Sequence, residues 1–190
     1  MLGADPAIAA RSLGAFRGAD RRMQLLGVKR LGGEAGSAAG GAAAGGSTSG
    51  GVRVFDDYGH HPTEVDVTLR ALRESERPEE RGGRLICVFQ PHQHSRTRHL
   101  LEEFAQSFSM ADVVIVPDIY FVRDSQEERH KVTSADLVDR LRARGVKAMH
   151  LYPFAAIVEQ LQTLCRANDV VVVMGAGPVW QIGRDYLRSE

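Results

Sequence analysis

The apolar and polar positions of this chain change period repeatedly, and the changes divide it into alternating strands and helices. Val113-Val114-Ile115-Val116 and Val170-Val171-Val172-Val173 are unbroken β-branched runs, as expected of strands covered by helices on both faces of a parallel sheet. Between such runs the apolar residues recur at helical spacing: Val65, Leu69 and Leu72; Leu100, Leu101, Phe104 and Phe108; Phe154, Ile157, Val158, Leu161 and Cys165. Each predicted helix therefore has one apolar face to bury. The pattern predicts strands over residues 23–28, 52–56, 85–90, 112–116, 146–151 and 170–174, and helices over 63–75, 97–110, 133–144, 154–165 and 179–187. Thr133 and Asp136 are spaced for a capping box at the start of the third helix. The expected fold is an open, doubly wound, Rossmann-like α/β sheet of six strands, mostly parallel, with an antiparallel first strand.

One stretch breaks the alternation. Residues 32–51, GGEAGSAAGGAAAGGSTSGG, hold nine of the 20 glycines, a single charge and no large apolar side chain. Such a segment buries too little to offset its ordering entropy, and as a free coil its ends would average about 25 Å apart. It is expected to be a disordered insertion at the tip of a hairpin formed by the first two strands. Closure entropy grows slowly with loop length, so the insertion costs little.

Length and composition narrow the possible functions. A chain of 190 residues is one ordinary domain with a real core. Its 24 basic residues balance 24 acidic ones, so no overall field gathers nucleic acid or an anionic membrane surface. No apolar run approaches the roughly 20 residues of a membrane span. The opening MLGADPAIAARSLGAF has an acidic residue where a secretory leader wants a basic start, and a cytoplasmic protein is expected. Cys87 and Cys165 both fall on apolar faces and are expected to be reduced packing residues.

In a doubly wound sheet ligands meet the loops beyond the carboxyl ends of the parallel strands. Those loops read Asp56-Asp57-Tyr58-Gly59-His60-His61-Pro62-Thr63-Glu64, Gln90-Pro91-His92-Gln93-His94-Ser95-Arg96-Thr97, Pro117-Asp118-Ile119-Tyr120 and Gly175-Ala176-Gly177-Pro178. Four of the seven histidines lie in two of them. Arg96 is able to hold a carboxylate or phosphate with its planar fork. Taken singly, each residue has an ordinary structural role: Asp56 or Asp57 as a turn cap, Pro62-Thr63-Glu64 as a helix start, the Gly175–Gly177 turn as a close strand-to-helix junction. On one edge of one sheet, together, they favour a site. The mixed charges of residues 123–131 read as an exposed loop or a flap beside it.

The first two loop sequences, with Phe16-Arg17-Gly18-Ala19-Asp20-Arg21-Arg22-Met23 before them and Met174-Gly175-Ala176-Gly177 after, resemble the C-terminal domain of the Mur ligases of peptidoglycan synthesis. The double histidine followed by Pro-Thr-Glu is similar to the UDP-N-acetylmuramate:L-alanine ligases in particular. The resemblance implies residues 1–22 as a hinge segment and residues 23–190 as the C-terminal domain. The N-terminal UDP-binding domain and the central ATPase domain are absent from the sequence. It also implies the activity of the whole enzyme: ATP, with Mg2+, phosphorylates the muramate carboxylate, and the amine of L-alanine attacks the acyl phosphate. UDP-N-acetylmuramate, L-alanine and ATP are the implied substrates, with no nucleic acid or membrane partner. The chain has no G-x-x-x-x-G-K-[ST] phosphate loop, and alone it is expected to be inactive.

The resemblance implies roles residue by residue. His60 and His92 fall at the catalytic side of the pocket. Tyr58, Gln93 and Arg96 fall where the amino acid substrate binds, Arg96 on its carboxylate. Arg22, with Arg21 beside it, falls where the nucleotide is reached, and Asp57 where the nucleotide or its neighbouring loop is positioned. Gln93 and His94 depart from the family's usual His-Arg-Tyr-Ser/Thr-Arg, and glutamine cannot neutralise a carboxylate as arginine does. Two other readings remain. His60, His61, His92 and His94 with Asp56 and Asp57 are residue types able to assemble a hydrolase metal site, although the implied ligase places no metal on this chain. A noncatalytic nucleotide-binding module is the other.

Overall fold

The computed structural model describes residues 19–31 and 50–189, with Asp5, Ala7, Ile8 and Arg11 besides. Most of the expected hinge segment and of the expected insertion lies outside the described residues. Six strands form one sheet: β1 (Gln24–Arg30), β2 (Gly51–Asp57), β3 (Leu85–Phe89), β4 (Val113–Val116), β5 (Lys147–His150) and β6 (Val170–Met174). Their order is β1-β2-β6-β3-β4-β5. β1 runs antiparallel to β2 and all other neighbours are parallel, as the pattern predicted. Arg30 pairs with Gly51, so Gly51 is a strand residue and not the last of the insertion.

The helices are α1 (Pro62–Glu76), α2 (His94–His99), α3 (Leu101–Gln106), α4 (Ser134–Ala143), α5 (Phe154–Leu164) and α6 (Trp180–Arg188). They divide between the two faces of the sheet. Val65, Leu69 and Leu72 of α1, Phe104 of α3 and Leu137, Val138 and Leu141 of α4 pack on Phe55, Cys87, Phe89, Val114 and Val172. Ile157 and Leu161 of α5 and Ile182 and Tyr186 of α6 pack on Val54, Ile86, Val88, Ile115, Val171 and Val173. Neighbouring strand residues thus enter opposite cores, which is why β3, β4 and β6 are apolar at every position. Each such side chain, fully buried, contributes about 1.5–3 kcal/mol. Cys87 and Cys165 are free and buried.

Two helix starts were written in the sequence. Thr133 caps α4, with reciprocal bonds between its side chain and Asp136. His61 caps α1, its side chain accepting from the Thr63 N–H while Glu64 reaches back to the N-cap backbone. One expectation is corrected: the single helix over 97–110 is two, α2 and α3, separated at Leu100, whose φ of −110° and ψ of 22° leave the helical well. The break lets α2 follow the rim of the sheet, where the Ser95 N–H donates to Asp124 at 3.0 Å. Past the break α3 places Phe104 5.3 Å from Phe89, ring centre to ring centre.

The winding decides where a ligand can enter. β2 and β3 are followed by helices on one face and β6 by α6 on the other, so the loops diverge above β2, β6 and β3. A crevice at that divergence is the usual ligand position in such sheets.

Candidate functional site

The loop after β2 is fixed by two acidic residues that end the strand. Asp57 is buried, and both its carboxylate oxygens accept backbone N–H groups: Oδ2 that of Met23 at 2.8 Å and Oδ1 that of Gly59 at 2.7 Å. A side chain at residue 59 would place its Cβ 2.8 Å from that Oδ1, so only glycine fits the turn. Asp56, 2% exposed, pairs through Oδ2 with Arg21 Nε at 3.0 Å. Burial pushes the Asp56 carboxyl above its usual range against the pull of the Arg21 charge and hydrogen bond.

Arg21 is clamped further. Its Nη2 donates to the carbonyls of Gly175 at 2.7 Å and Gly177 at 3.4 Å, and its own carbonyl accepts the Tyr58 N–H at 2.7 Å. Gly175 has a φ of +145° and lies so close to the Gln90 carbonyl that an added Cβ would stand 2.7 Å from it; the Gly-rich turn is a tight junction here. Arg22 faces outward. Its guanidinium carbon lies 5.6 Å from the Tyr58 ring centre, and Nη1 is 3.7 Å from Glu64 Oε1. Of the two adjacent arginines, Arg22 is the one with its charge turned toward solvent beside the loop.

Four rings stand in a row along the rim. Tyr58 meets His60 edge to face at 5.4 Å, and His60 meets His92 at 5.9 Å. Tyr120 follows, 5.7 Å from His92. Glu64 holds His60 in place, accepting its backbone N–H at 2.9 Å and that of His61 at 3.1 Å. Burial of the Glu64 carboxyl is outweighed by those two N–H groups and by the charges of His60 and Arg22, so its pKa is lowered. Burial depresses the His92 pKa, and the charges of Arg96, His60 and Arg123 lower it further. Both effects favour the neutral imidazole. Among the described residues its Nδ1 is buried without a hydrogen-bond partner, and so is Nη1 of Arg96. Buried polar atoms are normally paired, so these two unpartnered atoms single out the loop after β3 among the described residues.

The remaining candidates turn elsewhere. Gln93, at a φ of +67°, directs its Nε2 to the carbonyls of Val122 at 3.4 Å and Arg123 at 3.2 Å. His94 packs against Phe121 at 5.8 Å and does not join the His60–His92 row. Among the described residues no three His, Cys, Asp or Glu side chains are grouped to hold a metal ion. The hydrolase reading has no constellation to rest on. Tyr120 carried no role of its own in the sequence reading; its signal was its place just after a buried parallel strand. A cavity of about 650 Å³ at the opposite edge, lined by Arg84, Arg144 and Lys147 among others, lies far from these loops. No helix among the described residues is long and apolar enough to cross a membrane.

Known proteins share the family and the fold. The model of the Mur ligase, glutamate ligase domain, matches residues 45–177. The chain is 35% identical over 190 residues to the UDP-N-acetylmuramate–L-alanine ligase of Caldanaerobacter subterraneus subsp. tengcongensis, covering 100% of this chain and 35% of that protein. With the ligase of the same name from Agathobacter rectalis it shares 37% over 183 residues, 96% of this chain and 37% of that one. The chain thus spans about a third of the length of these relatives. Among solved structures, a UDP-N-acetylmuramate-alanine ligase from Thermotoga maritima superposes with a TM-score of 0.69 at 22% identity, over 98% of this chain and 34% of that one. A single domain from a ligase of Haemophilus ducreyi, described as acting on UDP-N-acetylmuramate, gives 0.55 at 20% identity, over 88% of this chain and 98% of that one. These structural likenesses establish the fold. With the family match over most of its length, the chain belongs to the Mur ligases, of which it is the C-terminal, glutamate ligase domain.

Proposed function

We propose that this chain is the C-terminal domain of a cytoplasmic ATP-dependent ligase that joins L-alanine to UDP-N-acetylmuramate, with residues 1–22 as the hinge leading into it. The observation that carries the reading is the pair of buried, partner-free atoms, His92 Nδ1 and Arg96 Nη1, beside the Tyr58–His60–His92 row. A free amino acid has the complementary groups: a carboxylate for the guanidinium and an amine for the imidazole.

In the implied reaction the muramate carboxylate is activated as an acyl phosphate at the expense of ATP, and the alanine nitrogen forms the amide bond as phosphate departs. This chain's part is to hold the nucleophile. Arg96 binds the alanine carboxylate. His92, held toward its neutral form by burial and nearby cations, offers a ring nitrogen to a proton of the ammonium, and the amine nitrogen so freed carries the lone pair that attacks. His60, fixed through Glu64, supports the His92 ring edge-on. Tyr58 closes the row at the end where Arg22 stands, and Arg22 is the residue offered to the nucleotide phosphates. Arg21 and Asp57 act one step back, since their polar atoms are committed to the protein. Mg2+ has no ligand set among the described residues, and no step here is assigned to it.

The test is reconstitution. Fused to the UDP-binding and ATPase domains of a relative, the chain should support L-alanine-dependent release of ADP and formation of the amide product. The chain alone should support neither. Turnover by the chain alone, or a folded fusion that binds ATP and shows no dependence on an amino acid, overturns the reading.

A further inference from the structure

His94 turns away from the His60–His92 row and lines a cavity of its own. This cavity, about 200 Å³, lies between the start of α2 and the start of α4, with Asp118, Phe121, Arg129, His130 and Ser134 also on its wall. His94 is only 7% exposed, yet its Nδ1 has no hydrogen-bond partner among the described residues. A buried polar atom left unpaired at a cavity wall calls for a partner from outside the chain.

The charges on the wall indicate which partner. His94 and Arg129 share Phe121: the imidazole meets the phenyl ring edge to face at 5.8 Å, and the guanidinium carbon stands 5.5 Å from the ring centre. Arg129 makes no ion pair among the described residues, since the neighbouring Glu128 is engaged by Arg98 and Lys131. The carboxylate on the wall, Asp118, is held by His150 Nε2 at 2.7 Å. At the start of α4, Thr133 and Asp136 cap each other, and the Ser134 hydroxyl donates to Pro117 O at 2.6 Å. The N–H groups of Ser134 and Ala135 make no hydrogen bond among the described residues, and at the N-terminus of a ten-residue helix they carry the positive end of its dipole. No three His, Cys, Asp or Glu side chains group here to hold a metal.

We propose that this cavity binds a free, phosphate-sized oxyanion, held by the His94 ring N–H, the Arg129 guanidinium and the free N–H groups of α4. The site is separate from the amino acid pocket and does not depend on that reading. An anion there would brace α2, the helix that carries Arg96, against α4.

The test uses the 190-residue chain and inorganic phosphate at constant ionic strength, followed by NMR. The His94 ring and the Ser134 and Ala135 amides should shift on one saturating curve, without the His92 ring. Burial lowers the His94 pKa against the charge of Asp124, with Arg129 and His130 lowering it further and Asp118 opposing them; bound phosphate should raise it. Arg129→Gln should weaken phosphate about tenfold, as loss of one charge-assisted contact implies. Arg123→Gln, which removes the same charge from a residue off the cavity wall, should leave the affinity as it is. His94→Phe should keep the packing on Phe121 and the remaining amide spectrum and lose the phosphate shifts. AMP, whose phosphate is an ester, should bind far more weakly. Equal weakening by the two arginine variants reduces the effect to surface charge and overturns the proposal. So does a wild type without saturation, a curve shared with the His92 ring, phosphate binding retained in His94→Phe, or AMP binding as well as phosphate.

Discussion

Nε of Arg21 lies 3.0 Å from Oδ2 of Asp56, and this one pair ties the residues before the first strand to the carboxyl edge of the sheet. The carboxylate is almost wholly buried, and its second oxygen has no partner. Burial raises its pKa above the ordinary 3.8 even with Arg21 present. The folded state therefore holds this proton to higher pH than the unfolded state does, and stability falls as pH rises between the two pKa values. Arg21→Ala should cost about 2–3 kcal/mol at pH 7, less than a fully buried pair because the arginine is partly exposed. The cost should shrink at lower pH, as the lone Asp56 takes up its proton. Urea unfolding of both proteins at neutral and acid pH measures this, and an equal loss at each would count against the pair.

Much of this was legible beforehand, and the parts that were not share a cause. The β-branched runs at Val113 and Val170 announce buried strands because no other element hides four such residues in succession. The loops after those strands follow from topology. Leu100, Leu101 and Phe104 keep helical spacing straight across the break at Leu100, so periodicity cannot reveal it. Arg21 and Arg22 are indistinguishable as neighbours in sequence; what separates them is a bond from Arg21 to Gly175, 154 positions away. Gln93 reads as a weakened substrate ligand until its amide is seen on the carbonyl of Arg123. Local pattern carries the elements, and the direction of a side chain is decided by contacts between distant segments.

Asp57 bridges two backbone N–H groups, at Met23 and Gly59. In Asp57→Asn one of the two oxygens becomes an NH2 donor facing another donor. The expected loss is about 1–3 kcal/mol, the cost of leaving a buried donor unsatisfied. Amide exchange should accelerate at Gly59 and Met23 more than at core residues such as Val172. Uniform acceleration would mean general destabilisation and no bridging role.

Glu64 should confer a pH dependence of opposite sign to that of Asp56. Its folded pKa lies below the ordinary 4.5 because the N–H groups of His60 and His61 and the charges of His60 and Arg22 outweigh its burial. Its stabilisation is present above pH 4.5 and lost as pH falls through the lower folded value. The stability difference between wild type and Glu64→Gln should thus be largest near neutrality and shrink through the acid range. A difference independent of pH would reduce Glu64 to a neutral hydrogen-bonding cap.

Arg96 carries the heaviest functional claim, and Arg96→Lys in the reconstituted ligase tests it. Arg96 sits in α2, one turn after Gln93, whose carbonyl accepts both the N–H and the hydroxyl of Thr97 at 3.0 and 2.8 Å. The base is rigid, and one guanidinium nitrogen is buried without a partner. Lysine keeps the charge and loses the planar fork that grips both carboxylate oxygens. The KM for L-alanine should rise while that for ATP changes little, with about 1.5–3 kcal/mol lost in kcat/KM. Thermal unfolding of the isolated variant separates this from a structural effect, because an arginine that only braced its own loop would lower stability and leave alanine kinetics at the wild-type value. Equal changes in the alanine and ATP parameters would remove Arg96 from the amino acid pocket.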